Sequence, residues 1–211
     1  VQIFGDGAGR VASLGDRDCS LQRRHQKVIE EAPAPALPDA VRAQLHSTSR
    51  ALAASVSYRS AGTVEFVYDP HRAQASFLEV NARLQVEHPV TELVTGVDLA
   101  CWMFRLARGE DVLQAHLPLG VTSGGVPVVG HAVEARVYAE DPARDYRPST
   151  GVLTSTRFPE GVRVDTWVED GTEVSSSYDP LLAKVIATGP DRNAALDRLG
   201  RALYDTVLCC I

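Results

Sequence analysis

Two strand-like runs, residues 63–68 and 75–80, flank a turn at Asp69-Pro70, and the hairpin they imply constrains this chain more than any other local feature. A hairpin centred near Arg72 sets Glu65 opposite Glu79, because the two positions are symmetric about it. Directly opposed side chains on antiparallel strands have Cβ atoms about 4.5–5.5 Å apart, and like charges there are destabilising unless something neutralises them. A divalent cation would do so, since magnesium takes hard oxygen ligands, commonly one or two carboxylates together with substrate phosphates. Asn81, two residues after Glu79, points to the same face. If the register is off by one, one glutamate instead faces solvent at a strand edge.

The next segment alternates: Glu79, Asn81, Arg83, Gln85 and Glu87 interleave with Val80, Ala82, Leu84 and Val86, so an extended backbone gathers the polar groups on one side. His88 precedes Pro89, which biases it to an extended conformation and carries the strand-like expectation to that point. Such a row suits a pocket wall. An arginine holds a small planar oxyanion bidentately, a glutamine completes the hydrogen bonding, and a carboxylate near a cation takes a proton. An ordinary half-buried strand with a polar outer face shows the same alternation.

Elsewhere, residues 1–4 and 11–14 flank a glycine-rich turn and predict a hairpin; Gly5-Asp6-Gly7-Ala8-Gly9 lacks the lysine and helix of a phosphate cradle. Helices are expected over 38–58, with Val41, Leu45, Leu52 and Val56 on one face, over 98–108, and over 191–206, with Leu196, Leu199 and Leu203 inward. Strands are expected at 131–139, 151–158, 162–168 and 181–188. The stretch 120–127 favours neither and reads as a linker. Gln22-Arg23-Arg24-His25-Gln26-Lys27 is locally an anion-binding surface or a solvated face. A cross-strand ion pair explains Arg136, and Lys184 is an ordinary strand lysine.

With 27 acidic against 21 basic side chains, no global positive field exists to hold nucleic acid or an anionic membrane. Apolar runs fall far short of the roughly 20 residues of a membrane span. Cys19, Cys101, Cys209 and Cys210 lack metal-knuckle spacing and read as intracellular thiols. The chain starts at Val1 in what reads as mid-strand, so an excerpt of a longer protein is expected.

Residues 18–27, Asp-Cys-Ser-Leu-Gln-Arg-Arg-His-Gln-Lys, and 79–92, Glu-Val-Asn-Ala-Arg-Leu-Gln-Val-Glu-His-Pro-Val-Thr-Glu, closely resemble the two signature stretches of biotin carboxylases. The resemblance runs on through Thr95-Gly96-Val97-Asp98, Glu134-Ala135-Arg136, Ala139-Glu140-Asp141-Pro142 and Tyr178-Asp179-Pro180, nearly the whole chain. It implies an α+β fold: the C-terminal part of an ATP-grasp domain over 1–122, then the β-rich C-terminal domain of biotin carboxylase over 123–211, cut short at its end. It further implies that Glu65 and Glu79 hold magnesium (or manganese) on ATP with Asn81 nearby, and that Gln22 and His25 contact the nucleotide. Lys27, Arg83, Gln85 and the Val86 backbone would hold bicarbonate, Glu87 would remove its proton, and Arg136 would stabilise the biotin enolate.

Residues 136–146 and 164–174 look most like the urea carboxylase branch, with acyl-CoA and pyruvate carboxylases as competitors. The implied partners are ATP, bicarbonate, a biotinylated carrier domain, an N-terminal biotin carboxylase domain and a second copy of the chain. The implied setting is cytoplasmic, or mitochondrial if a targeting segment lies upstream. Family members carry a glycine-rich lid and phosphate-binding lysines before the position of Val1, so the chain by itself is expected to be inactive. A non-catalytic fragment and another ATP-grasp ligase are the alternatives; the latter has no need of Arg83, Gln85 and Glu87 together with Arg136.

Overall fold

In the computed structural model, which describes residues 1–116 and 125–210, the chain begins with β1 (Gln2–Asp6), β2 (Val11–Ser13), β3 (Asp18–Arg23), β4 (Gln26–Ala32) and α1 (Asp39–Ser55). Next come β5 (Arg59–Asp69), β6 (Gln74–Asn81), α2 (His88–Thr95), α3 (Leu99–Ala107) and α4 (Val112–His116). The remainder holds β7 (His131–Tyr138), β8 (Glu140–Asp141), β9 (Arg147–Pro148), β10 (Gly151–Arg157), β11 (Arg163–Thr166), β12 (Glu173–Val174), β13 (Leu181–Gly189), α5 (Arg192–Asp205) and β14 (Val207–Cys210). Antiparallel sheets covered by helices make this α+β, as expected. One compact unit is Val1–Asp18 with Glu31–Val129, the other Cys19–Glu30 with Gly130–Ile211. The expected boundary between 122 and 123, and most of the linker at 120–127, lie outside the described residues.

In the first unit a sheet runs in the order β2-β1-β5-β6. The β1–β2 hairpin forms because Asp6 closes its turn, accepting the Ala8 and Arg10 N–H groups at 2.7 and 3.1 Å. Gly5 is required there: a Cβ would sit 2.1 Å from the Tyr58 carbonyl oxygen. Phe4 meets Trp102 edge to face, ring centroids 5.3 Å apart, in a core with Leu14, Leu99 and Leu106. In α1 the buried stripe is Leu45, Ser49 and Ala53, stepping by four. Leu52 and Val56, expected on that face, are exposed. Ser49 is tolerated inside because its hydroxyl donates to the Leu45 carbonyl at 2.8 Å. Asp98 caps α3 by accepting the Cys101 N–H at 2.7 Å, as a helix over 98–108 requires.

Asp16 is buried under α1, where Arg42 donates to both its oxygens, His46 Nε2 lies 3.2 Å away and the Ala34 N–H donates at 3.0 Å. Burial pushes this carboxyl up, but the His46 and Arg42 hydrogen bonds and the Arg42 charge more than offset it, bringing it from 3.8 to about 2. The depression corresponds to roughly 2 kcal/mol of stability. Because the folded value is the lower one, that contribution is complete above the ordinary carboxylate value and is lost as pH falls toward about 2. Asp16→Asn should therefore destabilise by about 2 kcal/mol at neutral pH and by progressively less on acidification, as urea midpoints across that range will show.

In the second unit β11-β13-β7-β4-β3 form a sheet. Helix α5 covers β13 and β7, packing Ala195, Leu199 and Ala202 on Val133, Ala135, Val185 and Ala187. Leu203, expected inward, is exposed. A Cβ on Gly189 would lie 2.5 Å from the Ala195 nitrogen, so glycine permits the close approach of helix and strand. A smaller sheet, β12-β10-β14, closes over Leu153, Val168, Val174 and Leu182. The β3–β4 hairpin is an element the sequence pattern did not announce. None of the described helices is long and apolar enough to cross a membrane.

Candidate active site

Pairing of β5 with β6 places Glu65 directly opposite Glu79 and Thr63 opposite Asn81. The ladder is symmetric about a slightly earlier point near the turn, Asp69 facing Gln74 and Phe66 facing Phe77. A bulge at Leu78 then shifts the register, bringing the carboxylates face to face. Asn81 Nδ2 donates to Oε1 of Glu65 at 3.1 Å and Oε1 of Glu79 at 3.0 Å, so one amide nitrogen spans both. Two carboxylates converging on one donor make a hard-oxygen set suited to magnesium or manganese. Asn81 presents its nitrogen to that gap, so its amide must turn over before Oδ1 can serve as a ligand.

Past Asn81 the expected extended row ends. Residues 82–85 are irregular, a turn over 86–87 follows, and His88 is the first residue of α2 rather than the last of a strand. Pro89 explains both expectations: it disfavours helix for the residue before it, yet its fixed φ suits the first helical turn. The turn is closed by the His88 N–H on the Gln85 carbonyl at 3.2 Å, with the His88 ring Nδ1 at 2.7 Å from the same oxygen. Polar side chains therefore part company: Arg83 is exposed, whereas Gln85 and Glu87 are 4% and 2% exposed. Gln85 Nε2 donates to Glu65 Oε1 at 2.8 Å, which ties it to the carboxylate pair. Glu87 occupies the cap position of α2, where the helix dipole favours negative charge, and Val86 is half-buried beside it.

Arg17 escaped the sequence reasoning. Its guanidinium donates to Gln85 Oε1 at 2.8 Å, linking a loop residue to one 68 positions away.

In the second unit, Arg24 and His25 form the two-residue turn of the β3–β4 hairpin with φ of 51° and 65°. Two adjacent non-glycine residues in the left-handed region are uncommon, and such strain recurs at functional sites. The turn leaves His25 and Gln22 exposed, Gln22 Nε2 donating to the Cys19 carbonyl at 2.8 Å, while Lys27 is half-buried on β4. The basic run is not one anion surface. Arg23 pairs with Glu140 and lies 4.1 Å over the Tyr146 ring, and Arg24 holds Asp145 at 2.7 Å.

Arg136 on β7 donates Nε to Glu30 Oε1 on β4 at 2.6 Å, and its Nη2 lies 2.5 Å from the same oxygen. Opposite it on β13 is Lys184, itself 3.0 Å from Asp165 on β11. Two cations facing each other are thus flanked by a carboxylate on either side, which removes the penalty of like charges opposed. Burial works against the Arg136 charge; Glu30 outweighs it and holds the guanidinium above its usual range. An ion pair at Arg136 was expected; its partner, 106 residues away, was not.

Residues 1–115 match the family described as carbamoyl-phosphate synthase L chain, ATP binding domain, and residues 134–211 match the biotin carboxylase C-terminal domain. Urea amidolyase of Lachancea kluyveri is 51% identical over 99% of this chain and 11% of that protein. The mitochondrial methylcrotonoyl-CoA carboxylase subunit alpha of Arabidopsis thaliana is 49% identical over 94% and 27%. Among solved structures, Kluyveromyces lactis urea carboxylase aligns with a TM-score of 0.92 at 53% identity, over 100% of this chain and 18% of that one. The biotin carboxylase domain of Hydrogenobacter thermophilus 2-oxoglutarate carboxylase, solved as a dimer with MgADP, ADP and bicarbonate, aligns at 0.90 and 38%, over 99% and 45%. The chain spans less than half the length of each of these proteins. Opposed carboxylates on an ATP-binding-domain match, followed by Arg136 within a biotin carboxylase C-terminal match, make this chain a member of the biotin carboxylase family.

Proposed function

We propose that the chain carries catalytic residues of an ATP- and bicarbonate-dependent biotin carboxylase, acting within a carboxylase whose final acceptor is urea. The observation that carries this reading is the Glu65–Glu79 pair bridged by Asn81, with Gln85 tied to it and buried Glu87 next along the chain. Magnesium or manganese held by Glu65 and Glu79, with Asn81 turned over, would neutralise the charge of the ATP phosphates. Gln22 and His25 contact the nucleotide. Lys27, Arg83, Gln85 and the Val86 N–H hold bicarbonate, the arginine by its planar fork.

Glu87 takes the bicarbonate proton, and the oxygen so exposed attacks the γ-phosphorus of ATP, releasing ADP and forming carboxyphosphate. Carboxyphosphate breaks its C–O bond to give carbon dioxide and phosphate. The biotin ring nitrogen gives up its proton to the phosphate just released, and the resulting enolate, stabilised by Arg136, attacks the carbon dioxide. On this reading the cations would be fixed where negative charge develops, the arrangement that contributes most to many enzymes' rates. A biotinylated carrier domain brings the biotin. On the same reading the chain acts as a homodimer, like the dimeric Hydrogenobacter domain, in a cytoplasmic setting or, like the methylcrotonoyl-CoA carboxylase subunit, a mitochondrial one.

Urea is favoured as acceptor by the urea carboxylase and urea amidolyase likeness, though methylcrotonoyl-CoA carboxylase is nearly as similar. Bicarbonate-dependent ATP hydrolysis with free biotin, measured on this chain and on a form extended upstream to the length of its relatives, tests the function. Activity in the extended form supports it; two folded but inactive forms favour a non-catalytic role. Within an active form, Glu79→Gln should raise the magnesium concentration for half-maximal turnover by at least about tenfold, read from a metal titration. An unchanged requirement would exclude the carboxylate pair as the metal site.

A further inference from the structure

Arg17 has four neutral oxygen acceptors. Nη1 donates to Gln2 Oε1 and Thr91 Oγ1, both at 2.8 Å, and Nη2 to Thr63 Oγ1 at 3.0 Å and Gln85 Oε1 at 2.8 Å. Those acceptors come from β1, α2, β5 and the segment after β6, so the guanidinium is pinned from several directions. Gln2 is itself paired with Thr63 across the sheet, and its amide nitrogen donates to the Gly62 carbonyl at 2.8 Å, which orients its oxygen toward Arg17.

The consequence falls on Gln85. A glutamine amide has two ends of nearly equal size, and which end faces a ligand depends on what the other end meets. Arginine can only donate, so the end of Gln85 that meets Arg17 must be the oxygen. The NH2 group is then turned to the other side, where one hydrogen reaches Glu65 Oε1 at 2.8 Å. Turning the amide over would set NH2 against the guanidinium and the carbonyl oxygen against the Glu65 carboxylate, two repulsions in a place 4% exposed. The second amide hydrogen is left for an oxyanion.

We propose that Arg17 is a positioning residue that fixes the polarity of the Gln85 amide, so that a donor and never the carbonyl oxygen faces bicarbonate. This rests on the reading of Gln85 as a bicarbonate-binding residue. A positioning role predicts a selective effect: without Arg17 the amide samples both orientations, and bicarbonate binding suffers while ATP binding does not.

The test is a cycle in a full-length enzyme carrying this chain, with Arg17→Met, Gln85→Ala and the double variant. Steady-state kinetics with bicarbonate and ATP varied separately, and thermal melting, are measured on each. Gln85→Ala and Arg17→Met should each raise KM for bicarbonate about 10–100-fold, the range of a hydrogen bond to a charged group, with KM for ATP within about twofold. The double variant should be no worse than Gln85→Ala. If Arg17→Met melts before assay, Arg17→Gln takes its place, since an amide can donate or accept and no longer dictates which end of Gln85 it meets; it should raise KM for bicarbonate in the parent and not in the Gln85→Ala background. Effects that multiply in the double variant, or an Arg17 variant that lowers stability and kcat while leaving KM for bicarbonate unchanged, would overturn the positioning role. If Gln85→Ala itself leaves KM for bicarbonate unchanged, the bicarbonate assignment fails, and the inference with it.

Discussion

Glu87→Gln in a full-length enzyme should fold, bind ATP as before and lose bicarbonate-dependent turnover by about 10²–10⁴-fold, the usual worth of a positioned general base. The change is nearly isosteric, and it falls on a side chain 2% exposed at the cap of α2. Loss of a negative charge at a helix N-terminus costs about 0.3–1 kcal/mol where it is exposed and up to about 2 kcal/mol where it is buried, too little to unfold a domain of ordinary stability. The amide still fills the space but has no oxygen basic enough to accept a proton. Single-turnover ATP cleavage with saturating bicarbonate separates the cases: a fall in rate with KM for ATP unchanged marks a lost base, whereas undiminished turnover excludes Glu87 from proton transfer. Arg83 gives a contrast within the same segment. It is exposed, so any effect of Arg83→Met on the rate comes from lost anion contact rather than lost packing.

The carboxylate pair was legible because hairpin register follows from local symmetry, and the structure sets Glu65 opposite Glu79. It was reached through a compensating irregularity. Carried unbroken from the turn, the ladder would put Leu78 opposite Glu65 and send Glu79 to the other face, since a one-residue slip inverts every side chain. The bulge prevents this, and its trace in the sequence is the break in alternation at Phe77-Leu78. Where the reasoning failed, the signals were either ambiguous or distant. Pro89 supports both an extended residue before it and a helix around it, and tertiary packing chose the helix; Gly96, with φ of 71° at the C-cap, was the better clue. The β3–β4 hairpin has little apolar periodicity: Leu21 on β3 is exposed, Ile29 on β4 packs on the core under α5, and the hairpin takes its order from pairing beside β7. Arg17 with Gln85 and Glu30 with Arg136 are contacts between residues far apart in the chain, which no local period encodes.

Arg136→Met should destabilise the second unit by about 3–5 kcal/mol, because it removes the guanidinium that meets the fully buried Glu30 carboxylate through both Nε and Nη2. Adding Glu30→Met should restore most of that loss, since a buried ion pair replaced by apolar side chains of similar volume is often neutral or stabilising. Stability and chemistry then separate. The double variant should melt near the parent yet remain deficient in biotin-dependent turnover, for it lacks the Arg136 guanidinium assigned to the enolate and Lys184 opposite is engaged with Asp165, while retaining ATP cleavage driven by bicarbonate alone. The cation is hard to replace by lysine: Nε and Nη2 both address Glu30 Oε1, a geometry that a single ammonium does not reproduce. Urea midpoints of the parent, both single variants and the double give the pairing energy, and biotin-dependent carboxylation of the double gives the catalytic share. A double variant as unstable as Arg136→Met would show that Arg136 acts through packing and not through Glu30. Restored stability together with restored carboxylation would remove Arg136 from the chemistry and leave it the structural ion pair that its sequence context alone suggests.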